Sequence, residues 1–229
     1  VAFPSVRAVG ADYITTGATS HVIDMPDGIV SGNLLIAFFA HDDESSQETV
    51  TWPGGWTEFV SADAGGSAGV NYAYRIAGGS EAASITVTTG TSEAAAAKIF
   101  EIRNWHGTSP PEAATANSAT GDPDPPSLTP SWGAADTFWV ASCGLNAGSG
   151  TWAYPASYTT DQYSLTTGGA GATALGLCSR PLNAASENPA AGAFTNSGWV
   201  GVTVAVSPAA GPRVRVPLRR IERLTHYRM

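Results

Sequence analysis

From Gly32 to Asn104 hydrophobic and polar positions fall into short runs separated by turn residues. Asn33-Leu34-Leu35-Ile36-Ala37-Phe38-Phe39-Ala40 is an apolar run of strand length, and Pro53-Gly54-Gly55-Trp56 makes a corner after it. Val70 to Ile76 then alternates, with Val70, Tyr72, Tyr74 and Ile76 on one face and Asn71, Ala73 and Arg75 on the other. A period of two marks a half-buried strand, because successive side chains point to opposite faces. Ser84 to Thr88 alternates in the same way, and Lys98 to Arg103 closes the unit. Two leading strands are predicted over Val1 to Gly10 and Tyr13 to Met25, punctuated by Gly17 and Pro26-Asp27-Gly28.

The same order recurs in the second half. Asp136 to Ala141 stands where the apolar run stood, and Tyr154-Pro155-Ala156-Ser157-Tyr158-Thr159 echoes Trp52-Pro53-Gly54-Gly55-Trp56-Thr57. Ala172 to Pro181 echoes the Tyr/Arg strand, Leu182 to Glu187 answers Gly78-Gly79-Ser80-Glu81, and Trp199 to Val206 answers the closing strand. A period of roughly 100 residues is too long for a solenoid. It predicts two similar four-strand halves, 32–104 and 135–208, of one sandwich domain over 1–208, because each half alone leaves an apolar sheet face uncovered. The repeat also decides Ser92 to Lys98, whose alanines favour a helix. Its counterpart alternates Val200, Val202, Val204 and Val206 against Trp199, Gly201, Thr203 and Ala205, so both are read as strands.

The composition, with 26 Gly and 15 Pro among 229 residues, agrees with short strands joined by many turns. The core is expected to include Leu34, Ile36, Phe38, Tyr72, Tyr74, Ile85, Val87, Phe100, Phe138, Val140, Val202 and Val204. Asn104 to Pro130, with Pro110-Pro111 and Asp122-Pro123-Asp124-Pro125-Pro126, reads as a crossover along the surface with an edge strand near Ala113 to Thr120.

Charge divides the chain. Up to Pro208 five basic residues face 18 acidic ones, 5 − 18 = −13; from Ala209 six arginines face Glu222 alone, 6 − 1 = +5. An acidic body argues against nucleic acid as a partner, since non-specific binding rests on neutralising phosphates. No apolar run approaches the roughly 20 residues that span a bilayer, and no export signal is visible. In 209–229, Arg213-Val214-Arg215-Val216 alternates like a strand, and Leu218, Ile221 and Leu224 are spaced like one face of a short helix. This segment reads as a basic C-terminal assembly arm, with Arg213, Arg215, Arg219, Arg220 and Arg223 as main contacts and Leu218, Ile221 and Leu224 as its apolar face. The competing reading is that it folds back onto its own acidic body.

Candidate chemistry is thin. Gly65-Gly66-Ser67-Ala68-Gly69 matches the G-x-S-x-G nucleophile elbow literally, but the residues after it alternate as a strand where the elbow needs a helix. His41-Asp42-Asp43-Glu44 and Asp122 with Asp124 offer ligands for calcium, without the spacing of an EF-hand loop; a solvated loop is the simpler reading. The four histidines lack zinc spacing. Cys143 and Cys178 read as buried thiols, with a disulfide as the alternative. The seven tryptophans sit beside strand and corner signals, which favours packing over sugar stacking. No catalytic, cofactor-binding or metal-binding residue is assigned, and the chain is read as not an enzyme.

Gly32-Asn33-Leu34-Leu35-Ile36-Ala37, Pro53-Gly54-Gly55-Trp56-Thr57, Tyr74-Arg75-Ile76-Ala77 before Glu81, Asn183 to Glu187 and Trp199 to Val206 together resemble a family of β-sandwich structural proteins of tailed bacteriophages and prophages. The resemblance implies an all-β, two-sheet antiparallel, jelly-roll-like sandwich in a virion component, with no catalytic residues to carry over. Its expected place is the outer surface of a virion assembled in the host cytoplasm, as a capsid decoration or cement protein. Expected partners are capsid or other virion proteins and further copies of itself, a trimer among the oligomers to consider. The alternative is a carbohydrate-binding tail-fibre or adhesin module recognising host-surface glycans.

Overall fold

The computed structural model describes residues 2–42, 48–168, 171–194 and 198–210. They form twelve strands, and no helix occurs among them. The first half contributes β1 (Ser5–Val9), β2 (Tyr13–Asp24), β3 (Leu34–His41), β4 (Val50–Thr51), β5 (Thr57–Asp63), β6 (Gly69–Ile76) and β7 (Ser84–Arg103). The second contributes β8 (Glu112–Ser118), β9 (Ala135–Asn146), β10 (Thr160–Thr166), β11 (Thr173–Ala184) and β12 (Trp199–Val206).

Each half builds its own antiparallel sheet, and the strand order is the same in both. The first runs β1-β7-β3-β6-β5, with β2 and β4 also paired to β7; the second runs β8-β12-β9-β11-β10. The chain therefore completes one layer before starting the other. The corner before β5 and the corner before β10 close alike: the Trp56 amide donates to the Pro53 carbonyl at 3.3 Å and the Tyr158 amide to the Pro155 carbonyl at 2.8 Å.

The sheets pack face to face on one shared core. Leu34, Ile36, Phe38, Val70, Tyr72 and Phe100 of the first meet Phe138, Val140, Leu175, Leu177, Val202 and Val204 of the second. Each outer face is covered as well. Leu35, Ala37, Phe39, Ala73, Ala97 and Ile99 lie under Ile23, Ile85 and Val87, while Trp139, Ala141, Cys143 and Ala205 lie under Trp152, Tyr158 and Phe194. Burial on both faces explains why β3 and β12 are buried at every position, since a strand between two apolar layers has no polar side to present.

Four details differ from the sequence reading. Ser84 to Thr88 and Lys98 to Arg103 are one 20-residue strand, whose first limb pairs with β2 and β4. That limb puts Ile85 and Val87 into the outer cluster, not the shared core. Tyr74 is only half-buried, and Ile76 is 46% exposed at the end of β6. The strands β5 and β10, passed over in the sequence, complete the hairpins with β6 and β11. The alanine run is strand: Ala94 to Ala97 are buried, between β2 on one side and β3 on the other.

The crossover carries β8 as the edge strand of the second sheet, and its proline stretch then lies across β12. The Thr203 hydroxyl donates to the Pro126 carbonyl at 2.6 Å, and a Cβ on Gly201 would stand 3.0 Å from the Pro125 nitrogen. Only glycine lets the two backbones approach this closely.

Candidate functional site

The sequence motifs resolve into structural roles. Ser67 lies in the hairpin loop between β5 and β6, where the Ala64 amide donates to the Ala68 carbonyl at 2.8 Å and Gly65 and Gly66 take φ of 64° and 86°; no helix follows the serine. Cys143 and Cys178 are buried free thiols on neighbouring strands. Asp122 fixes a loop by accepting the Phe194 amide at 3.1 Å. Five tryptophans are buried, and the half-buried Trp52 and Trp132 donate their indole N–H to Glu58 at 2.8 Å and Thr137 at 3.0 Å.

His41 ends β3 and Asp42 follows it, both buried. His41 places Nε2 3.0 Å from the Asn71 amide oxygen and Nδ1 3.0 Å from the Asp42 carbonyl. His21, across the outer cluster, is held down to about 4 by burial and then by His41. Asp42 lies beside Glu93, which is 3% exposed and pushed up to about 8 by burial first and then by Asp42. One oxygen of each carboxylate has no hydrogen-bond partner. Asp43 and Glu44, the other members of the His41–Glu44 loop, lie outside the described residues; among the described residues no three His, Cys, Asp or Glu side chains converge to hold a metal ion.

An apolar-walled concavity lies at a seam between the sheets, where the edge strand β1 and its lead-in face the edge strand β10. It encloses about 300 Å³ between Phe3, Pro4, Val6, Phe138 and Pro181, with Asp161 at its polar end. Pairing of β10 with β11 shifts register between Thr160 and Tyr163, and Asp161 within the shift takes φ 48°, a left-handed conformation that aspartate tolerates better than most residues. The irregularity seats the half-buried Asp161 carboxylate on the Ser179 hydroxyl, and burial raises its pKa although the hydroxyl opposes the rise. Apolar walls ending in one carboxylate suit an apolar group that carries, or stands next to, a cation.

The basic segment joins the body at the rim of this seam. Asn104, left-handed at φ 59°, accepts the Ala209 amide at 2.9 Å and donates its side-chain N–H to the carbonyl of Phe3 at 3.4 Å, and Phe3 is a wall of the cleft. Arg213, Arg215, Leu218, Arg219, Arg220, Ile221, Arg223 and Leu224, the expected arm contacts, lie outside the described residues. The sequence carried no signal for the seam itself: Phe3, Phe138 and Pro181 are brought together only by the fold.

Comparison with known protein families, with curated proteins and with solved structures finds no match to this chain.

Proposed function

We propose that the chain is a non-enzymatic structural protein of a tailed-bacteriophage virion, a capsid decoration or cement protein on the outer surface, which attaches through its basic segment 209–229. The observation that carries this reading is the junction at Asn104 and Ala209, which hands a segment of charge +5 to the rim of an acidic, doubly covered sandwich. Both outer faces of the sheets are already occupied, so attachment falls to the seam, the edges and the segment itself. Six arginines suit carboxylates on a neighbouring subunit or the underlying shell, because the guanidinium fork matches a carboxylate in two parallel hydrogen bonds. Homo-oligomers on the shell fit the same picture. The adhesin alternative draws less support, since five of the seven tryptophans are buried in the clusters and corners.

The experiment is reconstitution. The purified chain is added to virion-like particles made without it, beside a variant with Arg213, Arg215, Arg219, Arg220 and Arg223 all changed to alanine. The proposal expects saturable binding of the parent chain and loss of binding in the variant. No binding by the parent, or equal binding by both, contradicts it.

A further inference from the structure

The two halves carry the same arginine–glutamate corner, closed in the second and open in the first. In the second half Arg180 holds Glu187, Nη2 to Oε2 at 2.5 Å, with its guanidinium 5.1 Å from the centre of the Tyr158 ring. The Tyr158 hydroxyl donates to the other Glu187 oxygen at 3.2 Å, so both carboxylate oxygens are met by side chains.

Arg75 and Glu81 stand in the matching places, but the contact has opened. The Glu81 carboxylate accepts the amides of Gly78 and Gly79, the latter at 2.9 Å, and Arg75 Nη2 stops 3.9 Å away. Burial works against the Glu81 charge, yet those amides, helped by Arg75, hold its pKa below the ordinary value. Its charge is thus met mainly by the backbone. The ring has changed too: Trp56, in the place of Tyr158, stacks on Trp52 at 6.1 Å and 25°. Gly55 replaces Ser157, and a Cβ there would come within 3.5 Å of Arg75 Nη1. With φ at 87°, the position favours glycine and leaves that side of the guanidinium uncovered.

What remains is a cleft of about 330 Å³ bounded by Gly55, Thr57, Tyr74, Arg75 and Ile76. The Arg75 side chain is 35% exposed in it and Ile76 is 46% exposed. We infer that this cleft binds a carboxylated sugar, a uronic acid unit whose carboxylate pairs with Arg75. A guanidinium pairs with a carboxylate through two parallel hydrogen bonds. Thr57, Tyr74 and Ile76 complete the lining, a mix of hydroxyl-bearing and apolar residues that suits the hydroxyls and C–H groups of a sugar ring. The volume is at the lower end for small-molecule sites, which fits one monosaccharide. A phosphate would call for several cations or a nest of amides, whereas here one arginine lines the cleft and the nearby amides of Gly78 and Gly79 are taken by Glu81.

The test is an NMR titration of the whole chain with glucuronate, glucose and inorganic phosphate in turn. Glucuronate is expected to shift the amides of 55–57 and 74–76 saturably, with glucose and phosphate far weaker. Arg75→Ala should weaken glucuronate roughly tenfold or more. Ile76→Glu, which adds a negative charge at an exposed position of the cleft lining, should weaken it as well while leaving the remaining spectrum unchanged. The inference is overturned by any of three results: no saturable glucuronate binding, glucose or phosphate binding as tightly, or both variants binding like the parent.

Discussion

The hydroxyls of Tyr72 and Ser142 meet at 3.0 Å in the middle of the shared core, one from β6 of the first sheet and the other from β9 of the second. Both residues are fully buried, and Ser142 passes the hydrogen bond on to the Val202 carbonyl at 3.4 Å. Burial drives the Tyr72 pKa far above its usual value, so the phenol stays a donor. Tyr72→Phe keeps the ring, edge-on to Phe38 at 5.0 Å, and is expected to cost about 1 kcal/mol. Ser142→Ala strands the buried phenol and should cost about 2 kcal/mol. Urea unfolding at constant m-value measures both. No loss in either variant would mean that the sheets do not meet there.

Glu93 makes stability depend on pH in a defined direction. Its carboxyl, buried beside Asp42 and near Glu48, ionises at about 8 in the folded chain against an ordinary 4.5. Between those values the folded chain holds a proton that the unfolded chain has lost, so this group's stabilisation is complete below about 4.5 and is lost as pH rises to about 8. Glu93→Gln is expected to raise the Tm relative to the parent at pH 8 and to change it little at pH 5. A difference independent of pH would contradict the assignment. His21 acts in the opposite sense: held at about 4 by burial and His41, it withdraws stability as pH falls below its ordinary 6.5.

The two corners should respond unequally to loss of their arginines. Arg180→Ala leaves Glu187, 7% exposed, without its cation and is expected to cost about 3 kcal/mol. Arg75→Ala removes a contact of 3.9 Å from a carboxylate already satisfied by backbone amides and should cost less than about 1 kcal/mol. Equal losses in chemical denaturation would show that the corners are not divided into closed and open.

Cys143 and Cys178 sit fully buried in the outer cluster of the second sheet, and burial raises both thiol pKa values. Neither thiol should react with a thiol-specific reagent while the chain is folded, and both should react in denaturant. Rapid labelling of the folded chain would contradict their placement.

Alternation and the repeat made much of this fold legible. Val200, Val202, Val204 and Val206 face the shared core as their period of two requires, and the Pro53–Trp56 and Pro155–Tyr158 corners close with equivalent hydrogen bonds. Alternation names a face without saying what covers it: Ile85 and Val87 are buried as expected, but in the outer cluster and not between the two sheets. The seam was illegible for a different reason. Asp161 gains its position from a left-handed residue in a register shift, and its apolar neighbours come from strands more than a hundred residues apart in sequence. The arm residues lie outside the described residues, so their part rests on composition and on where the body ends.

Every described strand and all three apolar clusters lie before Ala210, so a chain ending there should fold alone. The most direct measurement compares that truncated chain with the full one for occupancy on virion-like particles, with Tm recorded for both. An unchanged Tm with occupancy abolished is the expected result. Full occupancy by the truncated chain, maintained in high salt, would contradict the assembly-arm account.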